Sequence, residues 1–169
     1  ISKSALEKEL TALELDALVG MVHIDAYENL KSDEVKNKLS LLRIRQGEMV
    51  KTGEALNVSA SGPKKILDSQ KKQILRCFNA EASSIIENIT VKNVDTSRSK
   101  IQRAFEAINK IFAVDGVQIS PEYLESKYEE LSMVYAYMLK LDEEAEQRKA
   151  IREQMVEEEK VRREIEQAK

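Results

Sequence analysis

The stretch Lys64 to Val91, KKILDSQKKQILRCFNAEASSIIENITV, carries two faces that restrict how the rest of the chain can fold. At about 100° per residue, Ile66, Leu67, Ile74, Cys77, Phe78 and Ile85 fall on one side. Lys64, Lys65, Lys71, Lys72 and Arg76 gather on the other. In its second half Ala80, Ala82, Ile86 and Ile89 carry apolar surface most of the way round. A helix of that kind must be enclosed by other helices, because a single apolar stripe suffices for one laid on a surface. The spacing therefore predicts a central helix over 64–91 inside an all-α, antiparallel bundle of about five helices.

The remaining sequence agrees with a bundle. Only 5 Gly and 2 Pro in 169 residues leave few places to turn, so a few long helices are favoured over many short strands. From Ser4, Leu6, Leu10, Leu13, Ala17 and Met21 recur at helical spacing, with Ser4 and Glu7 placed as a capping box. This predicts a helix over 4–20. Gly20 and HIDAYEN interrupt it. Ser32 as N-cap, with Asp33 and Glu34 in the first turn, predicts a helix over 33–52. Its stripe is Val35, Leu39, Leu42, Gln46 and Met49, while Leu41 and Ile44 suggest a second contact face. Gly53 closes it, and NVSASGP is a loop that delivers Pro63 to the first turn of the central helix.

After KNVDTS, with Asp95, Thr96 or Ser97 as cap, the apolar positions Ile101, Ala104, Phe105, Ile108 and Phe112 predict a helix over 97–114 that ends at Gly116. Ser120, Pro121 and Glu122 then form the strongest helix start in the chain. Leu124, Tyr128, Leu131, Tyr135 and Met138 continue its inner face, with the tyrosines expected half-buried and their hydroxyls wet. Beyond Leu141 the charge becomes dense and alternating, and only a thin apolar seam remains. That pattern predicts a solvent-exposed, coiled-coil-like extension to 168, either paired or acting as a rod. Residues 1–141 are accordingly expected to form the bundle domain, and 142–169 an extended charged helix leading toward a further domain. A chain that starts at Ile1 without Met and stops inside a helical pattern at Lys169 reads as an excised piece.

Composition excludes several functions. Hydrophobic residues make up 42% and charged residues 34%, but no apolar run approaches the ~18 residues that a membrane-spanning helix needs. The single Cys77, on the apolar stripe, is read as a small buried filler. The single His23 has no second histidine or cysteine at metal-ligand spacing, so no metal, cofactor or catalytic residue is assigned. The net charge of −3 argues against general nucleic-acid affinity. Lys64, Lys65, Lys71, Lys72 and Arg76 nevertheless form a local candidate surface for DNA or another anion. The serine-rich loop ahead of them lacks the spaced glycines of a phosphate loop. It reads more simply as a capped loop, with Asp68 as an i,i+4 partner for Lys64 and Lys72.

The segments ILRCFNAEASSII, KIQRAFEAINKIF and ISPEYLESKYEELSMVYAYMLKLDEEAEQRKAIREQMVEEEKVRREIEQA together resemble the domain-of-unknown-function family 4041. The likeness is strong over residues 74 to 168 and looser, through KSDEVKNKLSLLRIRQGEMVKTGEAL, in the first half. It implies the helical, non-nuclease part of a bacterial or phage-encoded protein in which a GIY-YIG-type endonuclease domain follows, an architecture associated with defence against phage. The implied function is recognition and assembly: sensing a phage component and positioning the attached nuclease. DNA delivery to that nuclease and a purely structural spacer are the alternatives. The partners implied are a phage protein or phage DNA, the covalently linked nuclease and a second copy through helical surfaces. The implied location is the bacterial cytoplasm, with a membrane tether ahead of Ile1 left open. No residue of a nuclease motif is present, so the segment itself is expected to be non-enzymatic.

Overall fold

A computed structural model describes residues 2–10 and 21–169. Helix α1 occupies residues 3–10, so Ser4 lies inside it and the cap falls to Ser2, whose Oγ accepts the Ala5 N–H at 3.3 Å. The rest of the expected 4–20 helix, including Leu13, Ala17 and Gly20, lies outside the described residues. A 3-10 turn, Asp25–Tyr27, leads to α2 (Ser32–Thr52), and a second, Ala113–Asp115, lies farther along the chain. Strand β1 (Leu56–Val58), α3 (Lys64–Glu87), α4 (Val94–Phe112), β2 (Val117–Ile119) and α5 (Pro121–Ala168) follow. The all-α expectation holds, with one small sheet added.

Helix α5, and not α3, is the centre. Tyr123, Leu124, Tyr128, Leu131, Met133 and Ala136 are all buried along its first turns. Against one side lies α2, which runs antiparallel to it and packs Val35, Leu39 and Leu42 on Met133 and Ala136. Against the other lie α3, α4 and the sheet, with Ile74, Phe78, Ala82, Ile101, Ile108, Val117 and Ile119 closing around Tyr123 and Leu131. Val134 touches both clusters. The expected stripe of α2, including Gln46, is buried in full. Its proposed second face is not a contact, since Leu41 and Ile44 remain 66% and 63% exposed.

The α3 stripe is narrower than its sequence implies. Ile74, Phe78, Ala82 and Ile86 are buried at four-residue spacing, whereas Ile66 and Cys77 are exposed and Ile85 is half-buried. Among the described residues, α4, β2 and α5 cover α3 along that stripe, and residues at its edges meet solvent. Phe105 is likewise half-buried, and Ile108 is buried beside it. The helix ends at Glu87, four residues short of the expected end, and a tight turn follows in which Asn93 Oδ1 accepts the Thr90 N–H at 2.6 Å. Asn93 is therefore the residue at the α4 cap position. Asp95, one of the expected caps, instead accepts the Val22 N–H at 2.8 Å and anchors the chain ahead of α2.

At the start of α2, Ser32 is the first helical residue and not the cap. Its N–H and Oγ both donate to the Glu144 carboxylate, at 3.0 and 2.7 Å. Those two bonds hold the Glu144 carboxyl below the usual carboxylate range.

The sheet clamps the two halves of the chain together. Leu56 pairs with Ile119, Asn57 with Gln118 and Val58 with Val117, in antiparallel register. Asn109 adds both side-chain bonds to Ile119, accepting its N–H at 2.7 Å and donating to its carbonyl at 3.2 Å. Gly116 adopts φ 69°, and a Cβ there would stand 2.5 Å from the Ala60 Cβ, so no larger residue fits this crossing. Gly53 ends α2 at φ 84°, as its position predicts. Ser120 caps α5 as expected, accepting the Tyr123 N–H at 3.2 Å, and its hydroxyl also donates to the Glu54 carbonyl at 2.7 Å.

Candidate functional site

The five cations read from the sequence lie on one flank of α3. Four are exposed and Lys71 is half-buried. They span roughly 140° of helix circumference at 100° per residue. Among the described residues, no carboxylate forms an ion pair with any of them, and Asp68 does not bridge Lys64 and Lys72 as expected. Long exposed side chains gain little by pairing in water, so the i,i+4 spacing alone does not close the contact. The loop ahead of them is committed elsewhere. Ser59 gives both its N–H and its hydroxyl to the Gly116 carbonyl, at 2.8 and 3.4 Å. Pro63 occupies the cap position of α3, one residue before the first turn where it was expected.

A second site, not read from the sequence, opens where α2, α3 and α5 meet. Its groove has a volume of about 540 Å³. Arg43, Gln46, Gly47, Val50 and Lys51 face it from α2 at three- and four-residue spacing, Tyr123, Lys127 and Glu130 from α5, and Asn79 and Ser83 from α3. At its floor sits a buried ion pair. Lys127 Nζ lies 3.2 Å from Glu130 Oε1, and each side chain is only 7% exposed.

The same carboxylate oxygen accepts the Gln46 amide at 3.0 Å, and Arg43 stands 3.8 Å from the other oxygen. Gln46 also donates to the Ser126 carbonyl and hydroxyl, at 3.2 and 3.3 Å. Lys127 Nζ lies 5.4 Å from the centre of the Tyr123 ring. The Tyr123 hydroxyl donates to Asn79 at 2.7 Å, so this tyrosine is fully buried with a protein partner and not a wet hydroxyl. Burial pushes its pKa up. Tyr128 is buried too, under the Arg98 guanidinium at 4.1 Å.

This network decides the register between α2 and α5. A buried pair of charges gives little net stability after its desolvation cost, and replacing both partners by apolar groups is often neutral. Sliding α2 by one turn would carry Gln46 away from Glu130 and Ser126 and leave its buried amide without those acceptors. At the mouth of the groove stand Arg43, 57% exposed, and Lys51, 77% exposed and 3.6 Å from the Glu48 carboxylate on its own helix. Three cations, Arg43, Lys51 and Lys127, against two carboxylates, Glu48 and Glu130, leave the groove one positive charge in excess over a hydrogen-bonding floor. One sequence signal pointed here: Gln46 is the polar member of an otherwise apolar stripe.

Among the described residues, no cluster of three His, Cys, Asp or Glu side chains is placed to hold a metal ion. His23 is exposed, beside Arg98, Glu125 and Tyr128. No helix among the described residues is long and apolar enough to cross a membrane.

Fold and groove define a helical domain assembled on one long helix that outruns its own core. Residues 32–142, from the first residue of α2 to the point where α5 leaves the core, match the family model described as the SNIPE associated domain. The chain belongs to that family, whose helical domains are linked to nuclease domains. No curated protein and no solved structure matches it.

Proposed function

We propose that this chain is the non-catalytic recognition and assembly module of a bacterial anti-phage defence nuclease. In this reading the groove receives a segment of a phage protein, and an attached GIY-YIG-type nuclease domain is positioned by α5. One observation carries the proposal: the helix that supplies Tyr123, Lys127 and Glu130 to the groove continues unbroken to Ala168. Whatever seats in the groove bears on the same rigid element that projects from the core. Family membership supports the nuclease link, and the cationic rim favours an acidic or amide-rich segment as the ligand.

The rim residues Arg43 and Lys51 test this, because both are exposed and neither is needed for packing. In the nuclease-bearing protein, the Arg43→Gln, Lys51→Gln double variant is expected to lose phage protection while retaining the helical circular dichroism and in vitro nuclease rate of the parent. Undiminished protection would remove the groove from its assigned role.

A second reading, delivery of DNA, is favoured by the unpaired basic flank of α3. If it holds, the 169-residue chain retards duplex DNA, and replacing Lys64, Lys65, Lys71, Lys72 and Arg76 by Gln abolishes the effect. Five phosphate contacts imply a log–log salt slope of about −4 to −5. Binding that ignores salt, or that survives loss of all five cations, contradicts this assignment.

A further inference from the structure

We infer that the bare half of α5 pairs antiparallel with the same segment of a second copy of this chain, in one register centred on Glu153. This inference does not depend on what the groove binds. Beyond the core, α5 carries a seam at alternating three- and four-residue spacing. Leu141, Arg148 and Met155 form one line of it, and Ile151, Glu158 and Ile165 the other. The apolar members are 39% (Leu141), 56% (Ile151), 63% (Met155) and 55% (Ile165) exposed, and among the described residues none of them belongs to either core cluster.

Charge selects the partner. In a parallel pair each seam residue meets its own copy, so Arg148 faces Arg148 and Glu158 faces Glu158. Like charges across a helical interface are disfavoured. In an antiparallel pair the two lines face one another. Centred on Glu153, that arrangement sets Leu141 against Ile165, Arg148 against Glu158 and Ile151 against Met155, each twice by the two-fold axis. Every apolar residue then meets an apolar one, and every charge meets its opposite.

Moving the register by one heptad destroys the match. Met155 then meets Glu158 in one direction, and Arg148 meets Ile151 in the other. The chosen register also brings Arg162 to the partner's Glu144, a carboxylate that Ser32 already holds in place. Polar members of a helical seam lower affinity and fix orientation. The interface is isologous, as a two-fold pair requires.

The 169-residue chain is expected to sediment as a dimer in reversible equilibrium with monomer. Arg148→Glu and Glu158→Arg should each weaken association roughly tenfold or more, since each sets like charges together. An equimolar mixture of the two variants should restore it. Both positions are exposed, so the circular dichroism of each variant should match the parent.

Register is read by disulfide formation in a Cys77→Ser background. Ile151→Cys mixed with Met155→Cys should give a cross-linked pair, and neither variant should cross-link alone. A chain that stays monomeric at its highest soluble concentration overturns the inference. So does self-cross-linking of Ile151→Cys, which reports a parallel pair, or a mixture that fails to cross-link.

Discussion

Replacing Phe78 by Ala is expected to destabilise the domain by about 3–5 kcal/mol, the range for removing a fully packed aromatic side chain. Phe78 has no exposed surface and stands where three elements converge. Its ring meets Phe105 edge-on at 6.3 Å and Tyr123 at 6.0 Å, so truncation opens a void between α3, α4 and α5 together. At roughly 2–4 °C per kcal/mol for a domain of this size, the melting midpoint should fall by roughly 6–20 °C. Cys77→Ala, one residue away on the exposed edge, should barely move it. Equal effects of the two would show that α3 presents a different face to the core.

Glu130→Ala should be nearly as costly, at about 3–5 kcal/mol, because it strands Lys127 in the interior without a counter-charge. It also removes one of the acceptors, beside the Ser126 carbonyl and hydroxyl, through which Gln46 holds α2 on α5. The companion experiment separates charge from packing. Lys127→Met combined with Glu130→Leu removes both charges and keeps most of the volume, and it should recover most of the lost stability. Chemical denaturation of the three proteins gives the comparison. A double variant no more stable than Glu130→Ala would mean that the pair is held by something other than mutual neutralisation. In the same protein, groove function is expected to fail, since the floor has lost its hydrogen-bonding groups.

The helices were legible in the sequence because their signals are local. Gly53, the Ser120–Pro121–Glu122 start and the Val35 to Met49 stripe each specify backbone conformation within a few residues, and all three hold in the structure. The centre of the fold was not legible in the same way. Both α3 and α5 show broad apolar surface, and which is enclosed depends on how α2 docks, a long-range fact that periodicity does not contain.

The sheet was missed because Val117–Ile119 is too short to establish alternation. Its pairing with Leu56–Val58 is fixed by Asn109, Ser120 and the Gly116 crossing. The groove was missed for a related reason. Lys127 and Glu130 read as ordinary surface charges of a helical repeat until Gln46, 80 and more residues away in sequence, is brought against them. Burial of the pair is a property of the α2–α5 contact and of neither helix alone.

In the proposed function α5 transmits position from the core to an attached nuclease domain. The helix spans 48 residues from Pro121 to Ala168. At about 1.5 Å per residue, its length past Leu141 carries the end well clear of the core. Inserting two residues at Glu157 turns everything downstream by about 200°, while a flexible Gly-Ser insert at the same place cuts the mechanical link. Neither change touches the packed part of the molecule. Phage protection by the nuclease-bearing protein is the measurement. The account predicts that both inserts abolish protection while the domain still folds and the groove still binds its ligand. Full protection with the Gly-Ser insert would contradict it, and would reduce α5 beyond the core to a tether.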